Sequence, residues 1–282
     1  MMSCFKKELS KPPLIAIYDS GVGGLLVVQE FLKQIPDATY VYYADSANMP
    51  YGNKTGDQIF SWTQNILSWL SSEFNPDFLV SACNTSASSL ESRAHLGMYY
   101  KHLYSPLDVL HEDAVLKSQN IIVVCTQATA DSKVHERMIL NNNPSAYVRT
   151  IGYKDLAYLI ENGDSQQAIQ KEIFAQLQTL DRNIYWDTII CGCTHYSIVK
   201  DVFLNFFQQK ILQKKMPEFI DPAEFMVKNV ERKMFLNHHV RAGDTKINFY
   251  SNDKSTSLFD QKIDKYLNIQ AQSLYHNPHK VI

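Results

Sequence analysis

The sequence predicts an α/β fold of two pseudo-symmetric domains, each a mostly parallel sheet flanked by helices. Three observations point there. Short β-branched or aromatic runs alternate with amphipathic helical stretches along the chain. The 282 residues, 45% of them apolar, exceed the ~100 to 200 of an ordinary domain, so two cores are the expectation. Finally, two strand-and-loop patterns occur twice at nearly the same offset.

Leu14 to Tyr18 reads as a buried strand. Val28, Phe31, Leu32 and Ile35 then recur at helical spacing until Pro36 ends the run. Thr39 to Ala44 is the next strand, Ile59, Trp62, Ile66, Leu67 and Leu70 line one helical face, and Asp77 to Ala82 returns as a buried strand. The later chain repeats the scheme. Strands are expected at Ile121 to Cys125, Tyr147 to Ile151 and Thr188 to Cys191, with helices from about Ser132, over Gln166 to Leu180 and over Ile198 to Phe207. A strand at Lys246 to Tyr250 and a helix near Leu258 to Leu267 close the chain. Trp62, Trp69 and most tyrosines are expected in the core.

The internal similarity is specific in position. Asp77-Phe-Leu-Val-Ser-Ala-Cys83-Asn-Thr lies on Asp187-Thr-Ile-Ile-Cys-Gly-Cys193-Thr-His at an offset of 110, and Ile15-Ala-Ile-Tyr-Asp-Ser lies on Ile121-Ile-Val-Val-Cys-Thr at an offset of 106. Either a duplicated half or the common look of buried parallel strands accounts for such matches.

Twenty-seven basic against 29 acidic side chains leave a net charge of -2, so no broad positive field is available to hold a phosphate backbone and nucleic acid is not an expected partner. Met1 to Pro13 carries three lysines but no signal-like apolar run, and no segment reaches the ~20 apolar residues of a membrane span. A soluble, cytoplasmic protein without membrane partners is the expectation. His238-His239 reads as solvated surface. Five cysteines, at 4, 83, 125, 191 and 193, are an odd count in a chain too large to need staples, which points to chemistry rather than disulfides.

Ligands of parallel α/β sheets bind at the carboxyl ends of strands. Cys83-Asn84-Thr85-Ser86-Ala87 and Cys193-Thr194-His195-Tyr196-Ser197 both fall there, at strand-to-helix turns whose short side chains can cap the next helix. A helix N-terminus stabilises a thiolate and offers N–H donors to a carboxylate. Taken alone, Cys83 reads as a small buried hydrophobe; the paired settings read as chemistry. Two such halves would bring the thiols face to face across a cleft. Inverting a stereocentre needs a proton removed on one face and delivered on the other, which an opposed thiol pair can do. The thiolate needs acid/base help, and Asp19 and His195 stand in position for it. Each also has a plain reading, as a turn residue before Gly21 and as a capping histidine.

Asp19-Ser20-Gly21-Val22-Gly23-Gly24 is glycine-rich but completes neither G-x-G-x-x-G nor a P-loop, so it reads either as a turn whose amides approach a substrate or as a packing turn. Pro50-Tyr51-Gly52 is a turn after a strand. Cys191-Gly-Cys193 raises zinc, yet no set of four ligands stands nearby in sequence, and no metal is expected.

These segments carry a family pattern. Asp19-Ser20-Gly21-Val22-Gly23-Gly24, Pro50-Tyr51-Gly52, Ala82-Cys83-Asn84-Thr85-Ser86-Ala87, Thr126-Gln127-Ala128-Thr129, Leu159-Ile160-Glu161 and Gly192-Cys193-Thr194-His195-Tyr196 stand in the order in which the chain resembles glutamate racemase. Thr-His after the second cysteine resembles that family rather than the related aspartate racemases, which usually place glutamate at the histidine. The resemblance implies two α/β domains with the active site in the cleft between them. The first would span residues 1-106 and 214-282 and carry Asp19 and Cys83; the second, 107-213, would carry Glu161, Cys193 and His195. It implies no cofactor, L- or D-glutamate as substrate, a homodimer, and a role in supplying D-glutamate for peptidoglycan, hence cell-wall biogenesis and cell shape. Cys83 would deprotonate D-glutamate and Cys193 L-glutamate, assisted by Asp19, His195 and Glu161. Asp19, Ser20, Pro50, Tyr51, Gly52, Asn84, Thr85, Thr126, Thr129, Thr194 and His195 match positions that hold the amino acid. Glu161 also reads as an exposed helix-end glutamate.

Four departures from the pattern fall, by expectation, around the domain junction and pocket wall: Gly152 to Tyr158, Asp108, Ser197 and an insertion at Gly97 to Tyr104. They leave aspartate or another acidic amino acid as the alternative substrate, and a catalytically silent amino acid binding protein as the alternative class.

Overall fold

The continuous runs at Leu14–Asp19, Thr39–Ala44, Asn120–Thr126 and Thr188–Gly192 form strands buried on both faces, leaving no solvent side that would impose alternation, whereas Tyr147–Tyr153 and Lys246–Ser251 are partly exposed. The computed structural model describes residues 12–93, 103–211, 215–236 and 245–279. Residues 1–11, 94–102 and His238-His239 lie outside the described residues, and with them most of the N-terminal extension and of the insertion.

The first sheet begins with β1 (Leu14–Asp19), α1 (Gly23–Gln34), β2 (Thr39–Ala44), α2 (Gly56–Phe74), β3 (Phe78–Ser81), α3 (Asn84–Glu91) and β4 (Leu103–Tyr104). A 3-10 turn at Pro106–His111 and α4 (Asp113–Leu116) lead to β5 (Asn120–Thr126), α5 (Gln127–Ser132), α6 (Val134–Asn142), β6 (Tyr147–Tyr153), α7 (Leu156–Asn162), α8 (Gln166–Leu177), β7 (Thr188–Gly192), α9 (Lys200–Lys210) and β8 (Glu218–Ile220). The chain then returns through α10 (Pro222–Leu236), β9 (Lys246–Ser251), α11 (Thr256–Leu267) and β10 (Leu274–Tyr275).

Strand order is β10-β9-β2-β1-β3-β4 in one sheet and β6-β5-β7-β8 in the other, and every pairing is parallel. Both sheets are covered on both faces. Ile15, Ile17, Tyr42 and Val80 pack with Phe31 of α1, Val227 of α10 and Ile263 of α11, while Ala16, Tyr18 and Leu79 pack with Ile66 and Leu70 of α2. In the second sheet Ile122, Val124 and Ile189 face α8 and α9, and Ile121, Val123 and Ile190 face α6.

The sequence repeat has a structural counterpart. Asp77 Oδ2 accepts from the backbone N–H of Leu14 at 2.9 Å, and Asp187 Oδ2 accepts from those of Gln119 and Asn120 at 2.9 and 2.8 Å. In each sheet, an aspartate before the strand that ends near a cysteine pins the start of the central strand. The same neighbours, β2-β1-β3-β4 and β6-β5-β7-β8, flank that centre.

Some expectations shift. Thr194–Val199 is a 3-10 turn, closed by Tyr196 N–H on the Cys193 carbonyl at 3.0 Å; Tyr196 is drawn fully into the core, so the regular helix waits until Lys200. Strand β8 pairs with β7, so the second sheet runs past residue 213. Asp108 lies in the segment that joins the two sheets and not among the residues lining the cleft. Its carboxylate accepts from Ser105 N–H at 3.1 Å and closes a capping box over Pro106–His111, a role glycine cannot fill. Trp69 stacks on His276 with centroids 4.0 Å apart and Trp62 lies against His279, so both are half-buried under the C-terminal segment rather than sealed in the core.

Candidate active site

The carboxyl ends of β1, β3, β5 and β7 converge on one cleft between the sheets. It is lined by Ser20, Met49, Pro50, Tyr51, Gly52, Cys83, Asn84, Thr85, Thr126, Ala157, Cys193, Thr194 and His195. Both cysteines are present, one from each sheet, and both are almost wholly buried. Cys83 is the N-cap of α3, and Cys193 precedes the Thr194–Val199 turn. Of the expected binding residues, Asp19 and Thr129 stand one layer behind the lining.

Asp19 closes the loop after β1. Its Oδ2 accepts from Gly24 and Gly21 N–H at 2.9 and 3.2 Å, and Thr194 Oγ1 donates to Oδ1 at 3.5 Å. The glycines are required by close approach. A Cβ at Gly23 would lie 2.3 Å from Thr194 Oγ1 and 2.8 Å from His195 Nδ1, and one at Gly24 would lie 2.4 Å from Asp19 Cβ. The Tyr42 hydroxyl donates to the Gly21 carbonyl at 2.7 Å and fixes this loop from below.

Behind Cys83, its thiol donates to Ser20 Oγ at 3.5 Å. Thr85, Thr126 and Thr129 form a triangle of hydroxyls at 2.9 to 3.1 Å, joining α3 to α5 across the cleft. Tyr51 is held by Asp45 and lies 3.2 Å from the Tyr18 hydroxyl. Asn84 lines the cleft, and its Oδ1 is buried with no hydrogen-bond partner, an acceptor without a donor.

Behind Cys193 runs a chain of charge. His195 Nδ1 lies 3.9 Å from Cys193 Sγ, and its Nε2 meets Glu161 Oε2 at 2.6 Å. Glu161 is buried, so its reading as an exposed helix end is overturned: it also accepts from Val22 N–H at 3.2 Å and from Lys262 on its other oxygen. Met49, Ala157 and Lys262 were not expected here. Met49 adjoins the Pro50 turn, Ala157 lies in the divergent Gly152 to Tyr158 segment, and nothing in the spacing around Lys262 signals a partner 101 residues away.

Burial sets the proton affinities. Both Cys83 and Cys193 thiols are pushed up by burial, Asp19 adding to the effect on Cys83 and the neighbouring thiols adding to that on Cys193. Burial raises Asp19 from its ordinary 3.8 to about 6, against the pull of His195 and the Gly24 and Gly21 amides. Burial opposes ionisation of Glu161 as well, but the hydrogen bond and charge of His195, with Lys262, overcome it and hold the carboxyl down at about 2. Burial disfavours the imidazolium, and Glu161 and Asp19 outweigh it, so His195 is raised. Cys191 faces elsewhere: its thiol donates to the Cys193 carbonyl at 3.2 Å and meets Ser197 Oγ at 3.4 Å.

The glutamate racemase of Rippkaea orientalis is 33% identical over 224 residues, covering 79% of this chain and 76% of that protein. The crystal structure of a glutamate racemase isoform from Bacillus anthracis matches the fold with a TM-score of 0.84 at 24% identity, covering 96% of this chain and 100% of that one. A glutamate racemase from Francisella tularensis in complex with D-glutamate matches at 0.83 and 22% identity, covering 95% and 98%. The chain is thus an isomerase of the amino acid racemase class. No family model matches it. It belongs to the glutamate racemase family.

Proposed function

We propose that the chain interconverts L- and D-glutamate by two-base proton transfer at Cα, with Cys83 and Cys193 as the two acid/base groups. The observation that carries this reading is that one thiol from each sheet lines a single cleft. Cys193 thiolate takes the α-proton of L-glutamate while the Cys83 thiol delivers one to the opposite face; the roles reverse for D-glutamate. His195, 3.9 Å from Cys193 Sγ, takes and returns the thiol proton, and Glu161 holds the ring in place. Asp19 and Ser20 serve the Cys83 side.

The α-proton is very weakly acidic, so the carbanion must be stabilised by aimed donors in dry surroundings. The amides at the start of α3 supply them, joined by the hydroxyls of Thr85, Thr126 and Thr194 when these turn from one another and from Asp19 to the substrate, and the unpaired Asn84 Oδ1 accepts from the substrate ammonium. That ammonium, entering beside the thiols, lowers the affinity that burial raises. Each sheet with its helices serves as one domain in this reading, the second running through Ile220. The enzyme acts as a cytoplasmic homodimer and supplies D-glutamate for peptidoglycan.

The test is incubation of the protein with L- and, separately, D-glutamate in deuterated water, following optical rotation and α-deuterium by NMR. Loss of rotation in both directions with deuterium at Cα is expected. Exchange with aspartate and not glutamate would move the substrate assignment, and no exchange with any acidic amino acid would overturn the reading.

A further inference from the structure

The Glu161 carboxylate is shared between two cations. Its Oε2 faces His195 Nε2 at 2.6 Å and Val22 N–H at 3.2 Å, and its Oε1 meets Lys262 Nζ. The partners come from three different parts of the chain: His195 from the turn after β7, Val22 from the loop before α1, and Lys262 from α11, which packs on the first sheet. The Glu161 side chain is only 4% exposed and that of Lys262 29%, so the pair sits at the margin of the protein where screening is incomplete. Four groups thus stand in line: Lys262, Glu161, His195 and Cys193.

From this arrangement we propose that Lys262 is a positioning residue for the half-reaction at Cys193, acting through Glu161 and His195 without touching the substrate. This rests on the two-thiol reading above. A buried carboxylate with His195 as its sole charged partner would hold the ring as imidazolium and leave it a poor acceptor for the thiol proton. Lys262 on the opposite oxygen offsets that charge and works against the rise that Glu161 imposes on His195. It also fixes the direction of the carboxylate, and so the rotation of the imidazole toward Cys193 Sγ. Behind Cys83 stand Ser20, Ser86 and the Asp19 charge, and the path from Ser86 runs through Tyr18 and Tyr51 to Asp45, away from Lys262. The influence of Lys262 is therefore one-sided.

Because L- and D-glutamate are equally stable, kcat/KM must fall by one factor in both directions, and a one-sided effect has to be read from isotope effects. Lys262→Met is expected to lower turnover about tenfold, less than the ~100- to 10,000-fold that a group transferring the proton itself contributes, because Lys262 acts through two others. The step at Cys193 becomes more rate-limiting. The primary isotope effect on kcat/KM accordingly rises with α-deuterated L-glutamate and falls with α-deuterated D-glutamate, and Lys262→Arg, which keeps the charge, restores most of the turnover. Where the Met variant melts too low to assay, Lys262→Gln is measured in its place. Unchanged turnover, or a loss with both isotope effects unmoved, would overturn the inference. Wild-type protein that racemises glutamate beside an inactive Cys193→Ala protein secures the underlying reading; failure of that control removes both, whereas a normal Lys262→Met protein against it removes this inference alone.

Discussion

Gly23→Ala isolates what the tight approach of α1 to the second sheet does for catalysis. Gly23 opens α1, where alanine would ordinarily favour the helix by up to about 1 kcal/mol. Here the new Cβ falls 2.3 Å from Thr194 Oγ1 and 2.8 Å from His195 Nδ1. Overpacking of this kind costs about 1–3 kcal/mol, so the clash outweighs the propensity and a small net loss of stability is expected. Restoring an ordinary contact of at least 3.4 Å drives Thr194 Oγ1 back by about 1.1 Å and His195 Nδ1 by about 0.6 Å, and a displacement of about 1 Å in the site costs about 100-fold in rate. The assay is racemisation followed by circular dichroism from each enantiomer, with a thermal melt on the same sample. Expected are a folded protein, a melting point lower by a few degrees, and turnover down by about 100-fold. Near-normal turnover in folded Gly23→Ala protein would refute the reasoning, since the geometry of His195 would then not depend on the approach.

Three further outcomes follow from the site. Cys83→Ala and Cys193→Ala should each lose racemisation in both directions by roughly 1,000-fold or more; polarimetry that found either variant active would rule out the two-thiol mechanism. Cys191→Ala should retain turnover near the wild-type rate, because Cys191 does not line the cleft and its thiol bonds the Cys193 carbonyl and Ser197; loss of activity in a folded protein would contradict that. Asp19 is raised from 3.8 to about 6, so the folded state binds its proton more tightly and wild-type stability falls as pH climbs through that window, by about 3 kcal/mol once complete. Asp19→Asn escapes the cost. Its stability relative to wild type in urea melts should improve by about that amount between pH 3.5 and pH 7 while racemisation is lost; an equal difference at both pH values would show that burial of Asp19 is not costly.

What could be read before the structure was known follows the range of each interaction. The strands were legible because buried parallel strands are continuous apolar runs, and β2 falls at Thr39–Ala44 as expected. The Asp77 and Asp187 match was legible because the same residue stands at the same place before each strand, although each aspartate bonds the start of a central strand 63 to 68 residues away. The cysteine turns were legible as strand-to-helix junctions. Lys262 was not, because an ion pair with Glu161 leaves no periodicity in either segment. Asp108 could have been found: Ser105 followed three residues on by an acidic side chain is a cap signal. The short β4, β8 and β10 carry two or three residues each, too few to show a pattern. The resemblance named Glu161, but its flanks left the reading as an exposed helix end open, since a buried charge looks like a surface one until its partners are known.

The return of the last strands to the first sheet has a bearing on how the protein is made. Strand β2 is paired by β1 on one side and by β9 on the other, and β9 begins only at Lys246. During synthesis the second sheet, contiguous from Asn120 to Ile220, can close while the edge of β2 still waits. A ribosome-bound or prematurely terminated chain ending before residue 246 therefore presents Thr39–Ala44, an apolar and aromatic strand, as an open template for another copy. A strand made later thus guards one made earlier, and self-association of such nascent chains is the hazard this order of assembly creates.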